Sequence, residues 1–151
     1  MKKNNTGFSL MELLVAITIL GILASVAYPS YTEQVRKSRR ADAKIALLEL
    51  SQRQENFYVD NNKYSGSLSE LLGSSSGAVG GFEITGDSAL SKDKYYKISV
   101  EEATARSFIM YAEPADTSPQ KSDTACMRMT INSAGQKTAL NSSSDEGSNC
   151  W

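Results

Sequence analysis

The chain has 151 residues, enough for one small domain together with a membrane segment. Sixteen basic and seventeen acidic residues give a formal charge of −1, so the chain as a whole has no electrostatic preference for nucleic acid or an anionic surface. The absence of histidine excludes Ser-His-Asp and Cys-His catalysis and zinc sites built on imidazole, and two cysteines are too few for a four-thiolate metal site.

The first long feature is an apolar run of 21 residues from Phe8 to Tyr28, which contains a single charge, Glu12. A helix of that length reaches roughly 31 Å, close to the thickness of the hydrocarbon core of a bilayer. The run could be a secretory signal cut after Ser25-Val26-Ala27. However, it is longer than the apolar region of an ordinary signal peptide, which has about 7–15 residues. It could also be a plain single-pass anchor. A third interpretation comes from the residues at its start.

The segment "GFSLME", residues 7–12, resembles the processing site of type IV pilins and the related pseudopilins. In that family a short basic leader is cut on the cytoplasmic side directly after the glycine, and the new N-terminal residue is methylated. The resemblance implies that residues 1–7, with Lys2 and Lys3, are a leader, that cleavage separates Gly7 from Phe8, and that Phe8 is N-methylated. The implied partners are a prepilin peptidase and methyltransferase, an inner-membrane assembly platform and the membrane lipid.

Glu12 needs a physical explanation, because an acid in the bilayer core costs on the order of 2.5–3.5 kcal/mol. Cleavage before Phe8 would create an α-amine with a reference pKa near 8, about one helical turn from Glu12. The resemblance implies that Glu12 also pairs with the Phe8 amine of a neighbouring subunit and sets the register of assembly. The alternative is a capping box, Ser9-x-x-Glu12, which explains those two residues but not Gly7-Phe8.

Beyond the apolar run, the pattern predicts a helix that continues to about Tyr58, with Pro29 as a kink or melted turn. A basic segment follows, which is most simply a solvated helix face that could also pair with acids of neighbouring subunits: Arg36, Lys37, Arg39, Arg40 and Lys44. Counted naively, the positive-inside rule places this segment in the cytoplasm. The processing motif implies the opposite side, and we keep that prediction.

The second half of the helix is predicted to dock against a globular head through an apolar stripe, while residues 30–42 project from it. The stripe contains Ala43, Ala46, Leu47, Leu50 and Phe57, and it is widened by Ile45 and Leu48. Asn61 and Asn62 end the helix, and a glycine- and serine-rich connector, residues 65–81, surrounds a short turn at residues 68–72. Strand patterns follow at 82–84, 96–101, 107–112, 127–131 and 137–140. They predict an α+β fold, an antiparallel meander packed on one long helix, which is also the pilin fold that the resemblance implies.

Cys126 and Cys150 indicate one disulfide in an oxidising compartment or two unrelated thiols in the cytosol. Pilin heads commonly carry a C-terminal disulfide loop, so the resemblance implies a Cys126–Cys150 bridge, which would stabilise by roughly 3–4 kcal/mol on the chain-entropy model. From residue 39 to the final Cys-Trp, the chain looks most like minor pilins of the PilE type. The implied division is a leader (1–7), a transmembrane and assembly half of the helix (8–29) and a periplasmic or extracellular head (30–151).

The leading functional prediction is a structural, minor subunit of a type IV pilus. Such a subunit waits in the inner membrane as a single-pass protein with a cytoplasmic N-terminus. It then joins other pilin subunits in a helical filament at the cell surface. The assembly would support twitching motility, adhesion or DNA uptake.

Three other functions are alternatives to this one. A DNA-binding pilin is suggested by Lys92, Lys94 and Lys97 beside Tyr95 and Tyr96, but residues 61–151 hold 8 basic against 11 acidic residues, which does not suit phosphate binding. A pseudopilin of a type II secretion system would share the processing site. An enzyme is the weakest alternative, and we expect no cofactor and no metal.

Overall fold

The computed structural model describes residues 9–151, so the predicted leader, Gly7 and Phe8 lie outside the described residues. The chain divides into two compact units between Val35 and Arg36. A single 52-residue helix, α1 (Leu10–Asn61), contains the end of the first unit and the start of the second. The helix is unbroken at Pro29, so no turn is melted there, and the kink at Pro29 stays a prediction.

The second unit is a seven-stranded antiparallel sheet in which every strand pairs with its neighbours in the sequence. A five-residue helix, α2 (Leu68–Leu72), precedes the sheet, and a 3₁₀ helix (Pro119–Ser122) lies between its fifth and sixth strands. The strands are β1 (Ser76–Val79), β2 (Phe82–Thr85), β3 (Ser88–Leu90), β4 (Tyr96–Ala103), β5 (Phe108–Pro114), β6 (Arg128–Asn132) and β7 (Lys137–Leu140). The predicted α+β fold, a meander with one long helix, is therefore confirmed.

Strands β1 and β3 are absent from the sequence prediction, because neither has an alternating apolar pattern long enough to recognise. The sequence does contain a signal for β1. Val79 pairs with Phe82, which leaves Gly80 and Gly81 as a two-residue hairpin turn with φ of 59° and 90°. Two positive φ angles are what such a turn requires, and Gly-Gly between two short segments is a hairpin signature.

The core of the head lies between α1 and one face of the sheet. Ala43, Leu47 and Leu50 are fully buried, as the stripe predicts. Ile45 and Leu48 are not, since 64% and 45% of their surfaces are exposed, so the prediction that they widen the docked stripe was wrong. Successive residues of a helix are about 100° apart, and the sheet covers only a narrow sector of α1.

Two further residues correct the prediction that residues 30–42 project from the head. Arg40 and Asp42 are both buried, so the packing of α1 begins before the apolar stripe does. The hydrophobic pattern could not reveal this because the contacts are polar.

Candidate assembly and binding surfaces

The first candidate surface is the apolar half of α1. Every side chain from Leu10 to Tyr28 is exposed, and the helix is long and apolar enough to cross a membrane. The hydroxyl groups of Thr18 and Ser25 are satisfied within the helix, because Thr18 Oγ1 donates to Leu14 O (2.8 Å) and Ser25 Oγ donates to Ile22 O (2.7 Å). Such a surface suits lipid or other helices, where every polar group needs a local partner.

Glu12 lies in the first turn of α1, where the helix begins with a hydrogen bond from Leu13 N–H to Ser9 O (3.1 Å). Within residues 9–151, no hydrogen bond joins Ser9 Oγ to the Glu12 N–H or the Glu12 carboxylate to the Ser9 N–H. The reciprocal bonds of a capping box are therefore not made in this part of the chain.

The basic segment that follows Pro29 is not uniformly solvated, contrary to the sequence prediction. The guanidinium of Arg40 is buried and donates to both carboxylate oxygens of Asp123 at 2.7 Å, and its Nη1 also donates to Asn149 O (3.2 Å). Arg39 lies over the ring of Tyr95, 5.0 Å from its centroid. Part of this segment thus belongs to the interior and the fixed surface of the head.

Other buried polar groups join α1 to the loops of the head. Asp42 accepts from the hydroxyl of Ser91 (2.5 Å), and the same hydroxyl accepts from the N–H of Tyr96 (3.0 Å). The phenol of Tyr96 accepts from Gln120 Nε2 (2.9 Å). Burial raises the pKa of Tyr96 to about 12, the Gln120 hydrogen bond opposes this rise, and the nearby Asp123 adds to it.

The C-terminal tail is fixed to the outer edge of the sheet. Cys126 and Cys150 form the predicted disulfide. Gly147 N–H donates to Ala139 O (2.8 Å), and the indole of Trp151 donates to Thr138 O (2.7 Å). The tail therefore covers the free edge of β7, which would otherwise present unpaired backbone groups.

The lysines that the sequence offers for DNA contact lie around strand β4, where acids accompany them. Lys94 forms an ion pair with Glu83 (2.5 Å), and Lys97 lies opposite Glu113 in the β4–β5 register. Lys92 is exposed, with its aliphatic stem against Gly81. Of the two aromatic residues in this cluster, Tyr96 is buried.

Comparison with known proteins places the chain. Residues 29–130 match the family model described as "Type IV minor pilin ComP, DNA uptake sequence receptor", which is two thirds of the sequence, and residues 2–28 match the prokaryotic N-terminal methylation motif. The chain belongs to the type IV pilin family. This agrees with the sequence prediction, and it makes the chain a subunit of the pilin or pseudopilin type.

This pilin is similar to individual relatives over only part of its sequence. It is 34% identical over 67 residues to the type IV major pilin protein PilA of Myxococcus xanthus, covering 44% of this chain and 30% of that protein. It is 35% identical over 63 residues to type II secretion system core protein G of Aeromonas hydrophila, covering 42% and 44%. For the type IV wide pilus major component PilA4 of Thermus thermophilus, the identity is 32% over 70 residues, covering 46% and 53%. The matches thus span about half or less of the relatives' length.

One surface of the pilin head was missed by sequence reasoning. Arg128 extends across the outer face of the sheet, with its guanidinium 3.7 Å from the centroid of the Tyr111 ring and ion pairs to Glu101 (3.3 Å) and Glu113 (3.6 Å). A groove of about 570 Å³ lies beside it, between the 3₁₀ helix and the C-terminal loop. The alternation of β6 places Arg128 on the outer face, but its partners come from β4 and β5, whose register the sequence does not reveal.

Proposed function

We propose that this pilin is a minor subunit of a type IV pilus, cut between Gly7 and Phe8, methylated on Phe8 and built into a filament through the apolar half of α1. The observation that carries the proposal is the complete exposure of Leu10–Tyr28 in a chain whose head has its own closed core. Lipid before assembly and neighbouring helices afterwards would cover this surface. The role is structural and not enzymatic, and the pilus at the cell surface is its final location.

Glu12 is the proposed assembly residue. Its carboxylate is the single charge between Ser9 and Pro29, and the amine released at Phe8 is the counter-charge that would make it tolerable in lipid. Pairing with the amine of a neighbouring subunit would align successive subunits along the filament axis.

The intact mass of the chain extracted from membranes tests the processing step. We expect the loss of residues 1–7, one added methyl group and two hydrogens fewer for the disulfide. A mass that corresponds to cleavage after Ala27, or an uncut chain in cells with an active prepilin peptidase, would overturn the proposal.

Substitution of Glu12 tests the assembly step. The variant E12Q should be processed and folded but should enter filaments about tenfold less than the parent, since the charge pair is lost. The matched control, E12D, keeps the charge and should assemble far better than E12Q. Equal incorporation of E12Q and the parent would show that the charge has no role in assembly.

The family model favours a second candidate function, because its description names a DNA uptake sequence receptor. Lys92 and Lys97 are the residues to test, since Lys94 is already paired with Glu83. The full chain in detergent should bind duplex DNA in a salt-dependent manner, and K92E/K97E should reduce the affinity, whereas K63E, an exposed charge change elsewhere, should not. Equal affinity of the parent and K92E/K97E would remove this cluster from any DNA contact.

A pseudopilin role is the remaining alternative, and the similarity to type II secretion system core protein G favours testing it. Antibody labelling of filaments separates the two. Labelling of surface filaments that persists when the type II secretion genes are deleted supports the pilus, and labelling that depends on those genes supports the pseudopilus.

A further inference from the structure

Charge is distributed unevenly along the part of the chain that follows the apolar run. Residues 29–44 contain five basic and two acidic residues, whereas residues 45–151 contain nine basic and fourteen acidic residues. The positive excess is therefore concentrated directly after the apolar run, and the remainder of the head is acidic. This distribution is hidden in the overall charge of −1.

Folding neutralises only part of the positive excess. Arg40 is buried against Asp123. Lys37 is exposed and Arg39 is half-buried, and in the described part of the chain neither has an acid within ion-pair distance. The contact of Arg39 with Tyr95 is with the face of the ring, which orients the guanidinium without cancelling its charge.

The spacing along α1 limits what these two cations can reach. Lys37 follows Tyr28 by nine residues and Arg39 by eleven, or about 14 Å and 17 Å of helix. Side chains on a helix tilt towards its N-terminus, so the exposed Lys37 can extend back towards the end of the apolar run. The polar layer on each side of a bilayer is roughly 5–8 Å thick, within reach of the Lys37 ammonium. Arg39, held over Tyr95, contributes its charge from the surface of the head beside Lys37. Lys44 is about 24 Å from Tyr28 and is too distant.

We propose that Lys37 and Arg39 bind anionic phospholipid headgroups at the membrane surface before the pilin enters a filament. The inference rests on the proposed function only in requiring that the apolar run lies in lipid. Each Lys or Arg near an anionic leaflet strengthens binding about fivefold, so the pair contributes about 25-fold. Extraction of the subunit must break this contact, which adds to the work of leaving the membrane.

Lipid enrichment around the full-length chain tests the proposal. The chain is placed in nanodiscs of phosphatidylcholine with a minor fraction of phosphatidylglycerol, and the lipids retained on release are measured by native mass spectrometry. The parent should retain phosphatidylglycerol, relative to phosphatidylcholine, about 25-fold above its share in the disc. K37E/R39E should fall to that share, K44E should lose much less, and K63E should behave like the parent.

The outcomes separate the proposal from its alternatives. Equal phosphatidylglycerol retention by the parent and K37E/R39E would overturn it, and so would equal losses in K37E/R39E and K63E. If K37E/R39E keeps the lipid but assembles poorly, the cations bind an acidic neighbouring head instead. Because an uncut chain also inserts into nanodiscs, failure of leader processing leaves the lipid result interpretable.

Discussion

The guanidinium of Arg40 lies in the interior of the head and donates to both oxygens of Asp123 and to Asn149 O. Loss of one partner from a buried ion pair leaves the other charge desolvated, which costs about 3–5 kcal/mol. We therefore expect R40A to lower the free energy of unfolding by about this amount. R39A, which loses only a ring contact, should cost about 1 kcal/mol or less. Urea unfolding of the full chain in detergent measures both, and equal effects would contradict the assignment.

Tyr96 gives the head a stability limit at alkaline pH. Its pKa is raised from 10.0 to about 12, chiefly by burial, so the folded state keeps a proton that the unfolded chain releases. Below pH 10 both states are protonated and Tyr96 causes no pH dependence. Between pH 10 and 12 the parent should lose about 2–3 kcal/mol through this group. The loss should be absent from the pH profile of the unfolding free energy of Y96F, and parallel profiles of Y96F and the parent would contradict the prediction.

The residue scale is also where sequence reasoning was weakest. Arg40 and Asp42 have the residue types of a solvated face, and nothing in a period of 3.6 residues indicates that Asp123 and Ser91 lie opposite them. Such pairs are separated by 83 and 49 residues, so they become visible only when the chain is folded. The motif at residues 7–12, by contrast, can be recognised from the sequence because all its residues are adjacent in the chain.

At the scale of elements, α1 has two unequal sides within the head. Leu47 is fully buried and Leu48 is 45% exposed, although they are neighbours in the chain. L47A should lower the free energy of unfolding by about 2–5 kcal/mol, because it leaves a cavity, whereas L48A should change it by about 0.5 kcal/mol or less. Comparable losses in denaturant titrations of the two variants would contradict the observed orientation of the helix.

The elements themselves were largely predictable where their patterns were long. Alternation over 96–101 and 127–131 identified β4 and β6. The meander followed because the strands are joined by short turns, except between β5 and β6, where the connection contains the 3₁₀ helix. Strands β1 and β3 are three or four residues long and gain their regularity from pairing with neighbours. Ile45 and Leu48 satisfied the helical period, yet period alone does not say how wide a face the sheet covers.

At the scale of the whole molecule, the disulfide attaches the C-terminal tail to the segment just before β6. The variant C126S/C150S should lower the free energy of unfolding by about 3–4 kcal/mol, since the bridge spans 24 residues and the unfolded chain regains their freedom. S148A, an exposed change within the same loop, should have little effect. Unfolding of both variants by urea, with the parent measured with and without reductant, gives the comparison. Unchanged stability of the parent on reduction would contradict the prediction.

Residues 149–151 carry three separate attachments: Asn149 accepts from Arg40, Cys150 is bonded to Cys126 and Trp151 donates to Thr138. Because the three attachments lie on consecutive residues, a force that pulls this segment away from the head acts on all of them at once. The covalent bond between the cysteines limits how far the segment can separate even when both hydrogen bonds are broken.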